Sequence, residues 1–274
     1  MGSFEKICRG IEEVKIQGAE NVAKAAVLAL RYKKDSAGVK KLFSLRPTEP
    51  ALRNAVRFAL KKNSEEALKY FENADEKIAR YGASLIKENV KVYTHCHAST
   101  VNRILKKAKG DGKDFVVVNT ETRPLFQGRR TSGDLAKLGI KNLHYVDSAM
   151  RLAIKSSDLV MIGADSITEK KVYNKIGSGL VAETAACFNI PLYVCACAWK
   201  FDFESVYLKR ETKIEERSSK EVWVNPPKGV RVLNPAFEEI DPDLIKGIVS
   251  EFGVLKFREF VKRVKKEYLW MFER

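Results

Sequence analysis

The sequence lacks any long apolar segment. No uninterrupted apolar run reaches the roughly 18 residues that a membrane-spanning helix needs. Residues 1–10 carry charged side chains and no apolar stretch, so the pattern does not predict a signal peptide. The five cysteines lack the spacing of a disulfide framework, which predicts free thiols in a reducing compartment. We therefore expect a cytoplasmic protein with no membrane partner.

Glutamine is almost missing as well. Gln17 and Gln127 are the only two in 274 residues, whereas 31% of the residues are charged, a bias typical of thermophilic proteins. The net charge of +15 is compatible with binding of nucleic acids and with binding of anionic metabolites. The sequence contains no RNA-binding motif and no basic stripe with interleaved aromatic residues. Nucleic acid is therefore not the main ligand that the sequence predicts.

The apolar patterns change character near Val90. Residues before it are predicted to be helical, and Asn63–Glu66 has the pattern of a helix cap at the start of a long helix. After it, short apolar runs alternate with helical patterns, which is typical of βαβ units and a mostly parallel sheet. The predicted strands are Val90–Tyr93, Phe115–Val118, Leu143–Val146, Leu159–Ile162 and Leu192–Ala196.

Further apolar runs near Val232 and Ile248 are candidates to extend this sheet, and residues 255–272 have the pattern of an amphipathic helix. The sequence thus predicts an α/β protein with a mostly parallel sheet. We expect a helical N-terminal domain over residues 1–89 and a second domain, which contains the sheet, over residues 90–274.

A candidate site follows the predicted strand at Leu159–Ile162. Asp165 comes just after its carboxyl end, where ligands bind in open α/β sheets. Asn174 and Lys175 come after a short connection, and Gly177 leads into a helix of small residues. Because a lysine and free backbone N–H groups at a helix start bind anions, this stretch predicts a carboxylate beside a phosphate site.

Cys96 follows the first predicted strand and precedes a helix that begins near Ser99. A helix N-terminus lowers the pKa of a thiol, so Cys96 is a candidate base or nucleophile. The alternative is a buried, inert cysteine. A metal site with His95 and His97 is the weaker interpretation, because no further ligand can be assigned from the sequence.

Two arginines are candidate anion ligands. Arg123 lies on a loop after the second predicted strand, with Pro124 and Gln127 close behind it, and Arg46 lies in a second proline-containing turn. Residues 177–182 match the pattern G-x-G-x-x-A formally. They do not directly follow a strand, and we find no Walker motif, so neither NAD nor GTP is predicted as a cofactor.

Taken together and in this order, Cys96, Arg123–Pro124, Gly163–Asp165 and Asn174–Gly177 resemble a known family. It contains the α, β and δ regulatory subunits of translation initiation factor 2B, methylthioribose-1-phosphate isomerase and archaeal ribose-1,5-bisphosphate isomerase. The resemblance implies a Rossmann-like C-terminal domain and a homo-oligomer, either a dimer or a hexamer of dimers. It also implies that Cys96 and Asp165 are catalytic, with no cofactor and no metal.

Within the family, residues 94–97, 165–168 and 198–201 look most like the ribose-bisphosphate branch. The resemblance implies that a phosphorylated sugar contacts Gln17, Gly18, Ala19, Arg46, Arg123, Gln127, Asn174, Lys175 and Lys200. One position departs from the pattern, since both isomerase branches have Arg-Gly-Ala where this chain has Gln17-Gly18-Ala19. A glutamine keeps hydrogen bonding but loses the bidentate charge, so the identity of the sugar phosphate is open.

Two functions fit this resemblance. The first is an aldose–ketose isomerase of the ribose-1,5-bisphosphate isomerase type, which acts by proton transfer through Cys96 and Asp165. The second is a non-catalytic regulatory protein similar to initiation factor 2B, which binds initiation factor 2 and senses a sugar phosphate or a nucleotide effector.

Overall fold

The computed structural model describes residues 3–207 and 214–272. Its N-terminal part is helical, as predicted. Asn63 caps the longest of these helices, because its side-chain oxygen accepts a hydrogen bond from the backbone N–H of Glu66 at 2.8 Å. The helices are α1 (Phe4–Glu12), α2 (Ala19–Ala29), α3 (Ser36–Leu45), α4 (Pro50–Lys61) and α5 (Ser64–Leu85). No helix in the described residues is long and apolar enough to cross a membrane.

In the described part of the chain, ten strands follow from Val90 onward. They are β1 (Val90–Thr94), β2 (Phe115–Thr120), β3 (Lys141–Tyr145), β4 (Leu159–Ile162), β5 (Ser166–Ile167), β6 (Val172–Lys175), β7 (Leu192–Cys195), β8 (Phe237–Ile240), β9 (Gly247–Ser250) and β10 (Gly253–Leu255). The first four and β7 match the predicted strands to within two residues at each end. The run near Ile248 forms β9, but the run near Val232 forms no strand, because it lies in an exposed irregular segment.

Seven strands form the main sheet in the order β10-β9-β7-β4-β1-β2-β3. Every neighbouring pair is parallel except β9 and β10. Val92 pairs with Val117 on one side and with Leu159 on the other, so β1 is central. The direction of chain progression reverses between β1 and β4, and such a switch point is where open α/β sheets bind ligands. The prediction of an α/β fold with a mostly parallel sheet is confirmed.

The sheet is accompanied by α6 (Ser99–Gly110), α7 (Gln127–Lys137), α8 (Met150–Lys155), α9 (Ser178–Cys187), α10 (Phe203–Tyr207) and α11 (Phe257–Glu267). The last of these is shorter than predicted, since it ends at Glu267 and is followed by a 3₁₀ turn over Leu269–Met271.

A second, small sheet of β5, β6 and β8 was not predicted. Its strands are two to four residues long and antiparallel, in the order β5-β6-β8. Ser166 on β5 pairs with Tyr173 on β6. This register brings the preceding residue, Asp165, next to Asn174 and Lys175, so the small sheet positions the candidate site.

The N-terminal helices pack closely on the sheet. The side-chain amide of Asn54 donates to the carbonyl groups of Trp199 and Phe201 at 2.8 and 2.9 Å, and the ring of Tyr70 stacks on Trp199 with centroids 3.7 Å apart. One hydrophobic core therefore continues across residue 90. The division into two domains at this residue stays a prediction.

Candidate functional site

A cavity of about 140 Å³ lies at the carboxyl ends of β1 and β4, at the switch point of the sheet. Cys96 follows β1 and Asp165 follows β4, and both line this cavity. The other residues of the sequence-based set that line it are Gln17, Gly18, Ala19, Arg46, Gln127, Asn174, Lys175 and Lys200. The structure thus brings together all but one of the residues that the sequence singled out.

Two hydrogen bonds fix the backbone of Cys96. Its N–H donates to the hydroxyl of Thr122 at 3.1 Å, and its carbonyl accepts from the hydroxyl of Thr131 at 2.8 Å. Burial raises the pKa of the Cys96 thiol to about 11, and the nearby charge of Lys175 only partly opposes this. The expectation of a lowered pKa was wrong. α6 begins three residues later, at Ser99, and the loss of water around the thiol outweighs any helix effect.

Asp165 has a carboxyl group that is harder to ionise than usual. Its backbone N–H donates to the carbonyl of Tyr173 at 2.9 Å, which ties it to the small sheet. Burial raises the pKa of the carboxyl, while Lys200, Lys175 and Arg46 oppose the increase. The pKa of the carboxyl group is raised on balance, so its burial has a larger effect than the three nearby cations.

Lys175 is the best candidate anion ligand. Its side chain is only 8% exposed. Within residues 3–207 and 214–272, its ammonium group makes no hydrogen bond and no ion pair. Lys200, by comparison, already donates to the carbonyl of Ala164 at 2.6 Å, and the amide of Asn174 donates to the hydroxyl of Ser178 at 2.8 Å. A buried cation without a partner favours the binding of an anion.

The start of α9 does not contribute to the cavity, so the predicted phosphate site at this helix is wrong. The N–H of Gly179 already donates to the carboxylate of Glu238 at 2.7 Å. Gly177 has φ 98°, and a Cβ at this position would lie 3.0 Å from the ring of His95. The glycine is therefore needed for backbone conformation and for packing.

Arg123 is the one predicted site residue that lies outside the cavity. Its side chain is exposed, and its guanidinium donates to the carbonyl of Val222 at 3.2 Å. The carboxylate of Asp147 holds the loop by accepting from the backbone N–H groups of Thr122 and Arg123, at 2.8 and 2.7 Å. This anchoring keeps the backbone of the loop in place, while the Arg123 side chain is exposed and contacts Val222.

Three charged residues of the cavity were missed by the sequence analysis: Glu49, Glu215 and Arg217. Arg46 donates through Nη1 to both carboxylate oxygens of Glu215, at 2.8 and 3.0 Å, and Arg217 donates to the same carboxylate at 3.2 Å. No local pattern connects Arg46 with Glu215, which lies far away in the chain. Glu49 lies three residues after Arg46, just before the proline that starts a helix, and this position could have indicated it from the sequence.

His95 also lines the cavity. Its Nε2 lies 2.8 Å from the carbonyl of Ile176, so this nitrogen carries the proton, and burial lowers the pKa of the ring. Nδ1 of His95 is buried and has no hydrogen-bond partner among the described residues. His97 instead turns to the hydroxyl of Thr131, at 3.0 Å from Nδ1. No group of three or more metal-ligating side chains is found in the described part of the chain.

Comparisons with known proteins show which family the chain is similar to. Residues 16–257 match the initiation factor 2 subunit family. The chain is 31% identical to the ribose 1,5-bisphosphate isomerase of Pyrococcus furiosus, over 98% of this chain and 95% of that protein. It is 35% identical to a putative methylthioribose-1-phosphate isomerase of Methanothermobacter thermautotrophicus, over 91% and 85%. Among solved structures, the translation initiation factor eIF-2B of Pyrococcus horikoshii OT3 is similar, with a TM-score of 0.82, 28% identity and coverage of 92% and 96%.

Proposed function

Because the chain belongs to the initiation factor 2 subunit family, we propose that it is an isomerase that interconverts the aldose and ketose forms of a sugar phosphate. Relatives named ribose 1,5-bisphosphate isomerase, which match nearly the whole chain, support this class of reaction. The observation that carries the proposal is the presence of Cys96 and Asp165 in one buried cavity. A thiol and a carboxyl group are suitable partners for moving one proton between two carbon atoms.

The reaction moves a proton from C2 to C1 through an enediolate. Cys96, as the thiolate, takes the proton from C2 and returns it to C1. Asp165, in its protonated form, donates to one sugar oxygen and accepts the proton of the other. The electron pairs stay within the sugar, so the reaction uses no oxidant and no redox cofactor.

The raised pKa of Cys96 sets an energetic condition for this role. Forming the thiolate at pH 7 from a thiol with a pKa of about 11 costs about 5 kcal/mol, at roughly 1.4 kcal/mol for each pKa unit. A turnover of about 10 s⁻¹ corresponds to a barrier of about 16 kcal/mol, so this cost leaves room for catalysis. Lys175, whose charge lowers the pKa of the thiol, reduces the cost.

The cavity offers several groups for the phosphate. Lys175 is unpaired among the described residues, and Asn174 and Lys200 also line the cavity. Gly18 and Ala19 form the start of α2, and no side chain caps this helix end. Unlike the start of α9, this one lines the cavity, so its free N–H groups are available to an anion. Gln17, Arg46 and Gln127 complete the proposed set of sugar and phosphate contacts.

The test is turnover in deuterated water. We expect ribose 1,5-bisphosphate, ribose 1-phosphate or methylthioribose 1-phosphate to yield a ketose that carries solvent deuterium, observed by NMR. Cys96→Ala should lower the rate by roughly 10²–10⁴-fold or more while the ligand still binds. Cys187→Ala, which changes an exposed cysteine outside the cavity, is the matched control. Full activity of Cys96→Ala, or a wild-type protein inactive on all three sugars, would overturn the proposal.

A second function is favoured by a specific observation, which is the likeness to a structure named translation initiation factor eIF-2B. In that case the cavity senses a sugar phosphate or a nucleotide effector, and initiation factor 2 is the partner. Binding of the ligand without turnover, together with capture of purified initiation factor 2, would support this function. For either function we propose a homo-oligomer, which light scattering of the purified protein tests directly.

A further inference from the structure

Glu49 lines the cavity and has no role in the proposed proton transfer. It stands at the N-terminal end of α4, but its side chain makes no hydrogen bond to the helix. The residue is only 4% exposed and lines the cavity. Its Oε2 is buried without a hydrogen-bond partner among the described residues, whereas its Oε1 forms an ion pair with Nε of Arg46 at 3.7 Å, which is too long for a hydrogen bond. The buried Oε2 therefore lacks a hydrogen-bond partner that a ligand can supply.

The charges around Glu49 make this part of the cavity unsuitable for a phosphate. Arg46 is already bonded to both oxygens of Glu215, and Arg217 shares the same carboxylate. Nε of Arg46 has no hydrogen-bond partner of its own among the described residues. A phosphate brought to Arg46 would therefore meet the carboxyl groups of Glu49 and Glu215 and would have to displace an existing ion pair.

The cavity has two distinct charge environments. The charged groups that act most strongly on Glu49 are Asp165, Arg46, Glu215 and Lys200. The cation that acts on Cys96 is Lys175, whereas the main cations beside Glu49 are Arg46 and Lys200. Asp165 is affected by Lys175 and by Lys200, so it lies between the two environments.

From this arrangement we infer that Glu49 is a specificity-determining residue, whose carboxyl group bonds a hydroxyl group of a sugar that carries a single phosphate, held by Lys175. A carboxyl group both donates and accepts when protonated and accepts when ionised, so it can satisfy a hydroxyl in either state. A site that bonds a hydroxyl group rejects analogues that lack it or that carry a charged group in its place. The inference rests on the proposed function and adds the class of sugar phosphate.

The charge balance of the cavity agrees with one phosphate. Its lining contains four lysine and arginine side chains, Arg46, Lys175, Lys200 and Arg217, and three carboxyl groups, Glu49, Asp165 and Glu215. Each phosphate monoester carries about −1.5 to −2 charges at pH 7. With Glu215 and Glu49 ionised and Asp165 protonated, the four cations and two carboxylates leave a net charge of +2, which one phosphate balances and two exceed. Below about pH 8, where Glu49 is mostly protonated, the net charge is +3, so the limit to one phosphate applies once Glu49 ionises.

Calorimetric titration with ribose 1-phosphate and ribose 1,5-bisphosphate tests the inference. We expect the wild-type protein to bind the monophosphate at least about tenfold more tightly, which corresponds to about 1.4 kcal/mol. Glu49→Ala should abolish this preference, and Glu49→Gln, which keeps the shape of the side chain, should restore tight binding of the monophosphate. Glu239→Gln removes one negative charge on the surface, where Glu239 pairs with Lys171, and should leave the preference unchanged.

The pH dependence separates recognition from a structural role. Burial raises the pKa of Glu49 to about 8, so the carboxyl group ionises between pH 7 and pH 9. The affinity of the wild-type protein for the bisphosphate should therefore fall across this range relative to the monophosphate, and in Glu49→Gln the ratio should stay constant. A merely structural role of Glu49 would change both ligands alike.

The inference is overturned if the bisphosphate binds as tightly as the monophosphate, or if the preference survives in Glu49→Ala. Its failure can be distinguished from failure of the proposed function. If the protein prefers the bisphosphate and turns it over, the proposed role of Glu49 is wrong and the isomerase proposal stands. If the preference depends on Glu49 but no turnover is observed, the role of Glu49 stands and the isomerase proposal is wrong. If neither sugar phosphate binds, the role of Glu49 is wrong, and the isomerase proposal falls as well only if methylthioribose 1-phosphate is not turned over either.

Discussion

The Cys96 thiol should ionise at much higher pH in the native protein than in the unfolded chain. Burial raises the pKa of Cys96 from an ordinary value of 9.0 to about 11. A difference of two pKa units disfavours the thiolate by about 2.7 kcal/mol, since each unit corresponds to about 1.4 kcal/mol. At pH 8 this reduces the thiolate fraction roughly a hundredfold, from about one tenth to about one thousandth.

Alkylation with iodoacetamide measures this fraction, because the thiolate is the reactive form. The rate at Cys96, followed by mass spectrometry of its peptide, should still rise about tenfold per pH unit between pH 8 and pH 10 in the native protein. In urea the same peptide should level off near pH 9. The shape of the curve, rather than the absolute rate, is compared, since limited access of the reagent lowers the rate at every pH alike.

Two variants test the cause of the shift. Lys175→Met should move the titration of Cys96 to still higher pH, because the charge of Lys175 lowers the pKa of the thiol. Asp165→Asn should move it to lower pH, because the charge of Asp165 raises that pKa. A native midpoint below pH 9 would refute the reasoning, since the helix start at Ser99 would then outweigh burial.

Three further outcomes are expected. Asp165→Asn should remove turnover and leave phosphate binding nearly intact, because an amide does not exchange the proton. Lys175→Ala should chiefly weaken binding. Kinetics measures the effect of each variant on turnover, and calorimetry measures its effect on binding. Gln17→Arg should tighten binding of ribose 1,5-bisphosphate, since a charge-assisted hydrogen bond contributes about 1.5–3 kcal/mol; unchanged affinity would place residue 17 outside the ligand site. Burial is the main cause that raises the pKa of Asp75 to about 7. The protonated carboxyl group therefore stabilises the native protein, and this stabilisation is lost as the pH rises from about 4 through 7. Asp75→Asn should flatten that loss in urea denaturation, and an unchanged pH profile would contradict it.

The sequence predicted which residues meet in the cavity where the parallel strands of the sheet place them. Apolar runs identified β1 and β4, and the carboxyl ends of neighbouring parallel strands meet at one edge. Cys96 and Asp165, each a few residues after such a strand, therefore had to lie close together. Lys175 was found through its position shortly after the same strand, although the hairpin that places it was too short to predict.

The failures come from parts of the site that depend on irregular segments. Glu215 reaches Arg46 only through the packing of a segment without regular structure, and no local pattern encodes that contact. The sequence showed a helix beginning after Gly177 but not that Glu238 already occupies its N-terminus. For Cys96 it showed the nearby helix but not the burial, and burial determines the pKa.

The two candidate functions make different demands on this cavity. A site that only senses a sugar phosphate needs cations and shape, which Lys175 and the start of α2 supply. It gains nothing from a thiol and a carboxyl group whose ionised forms are both disfavoured by burial. Buried acidic groups weaken anion binding once they ionise, so a pure sensor would be better without them. Proton transfer, in contrast, needs groups that hold a proton near neutral pH and release it to the substrate, and perturbed groups of this kind concentrate at catalytic sites. The presence of both groups in one cavity with an unpaired lysine therefore favours the isomerase over the sensor.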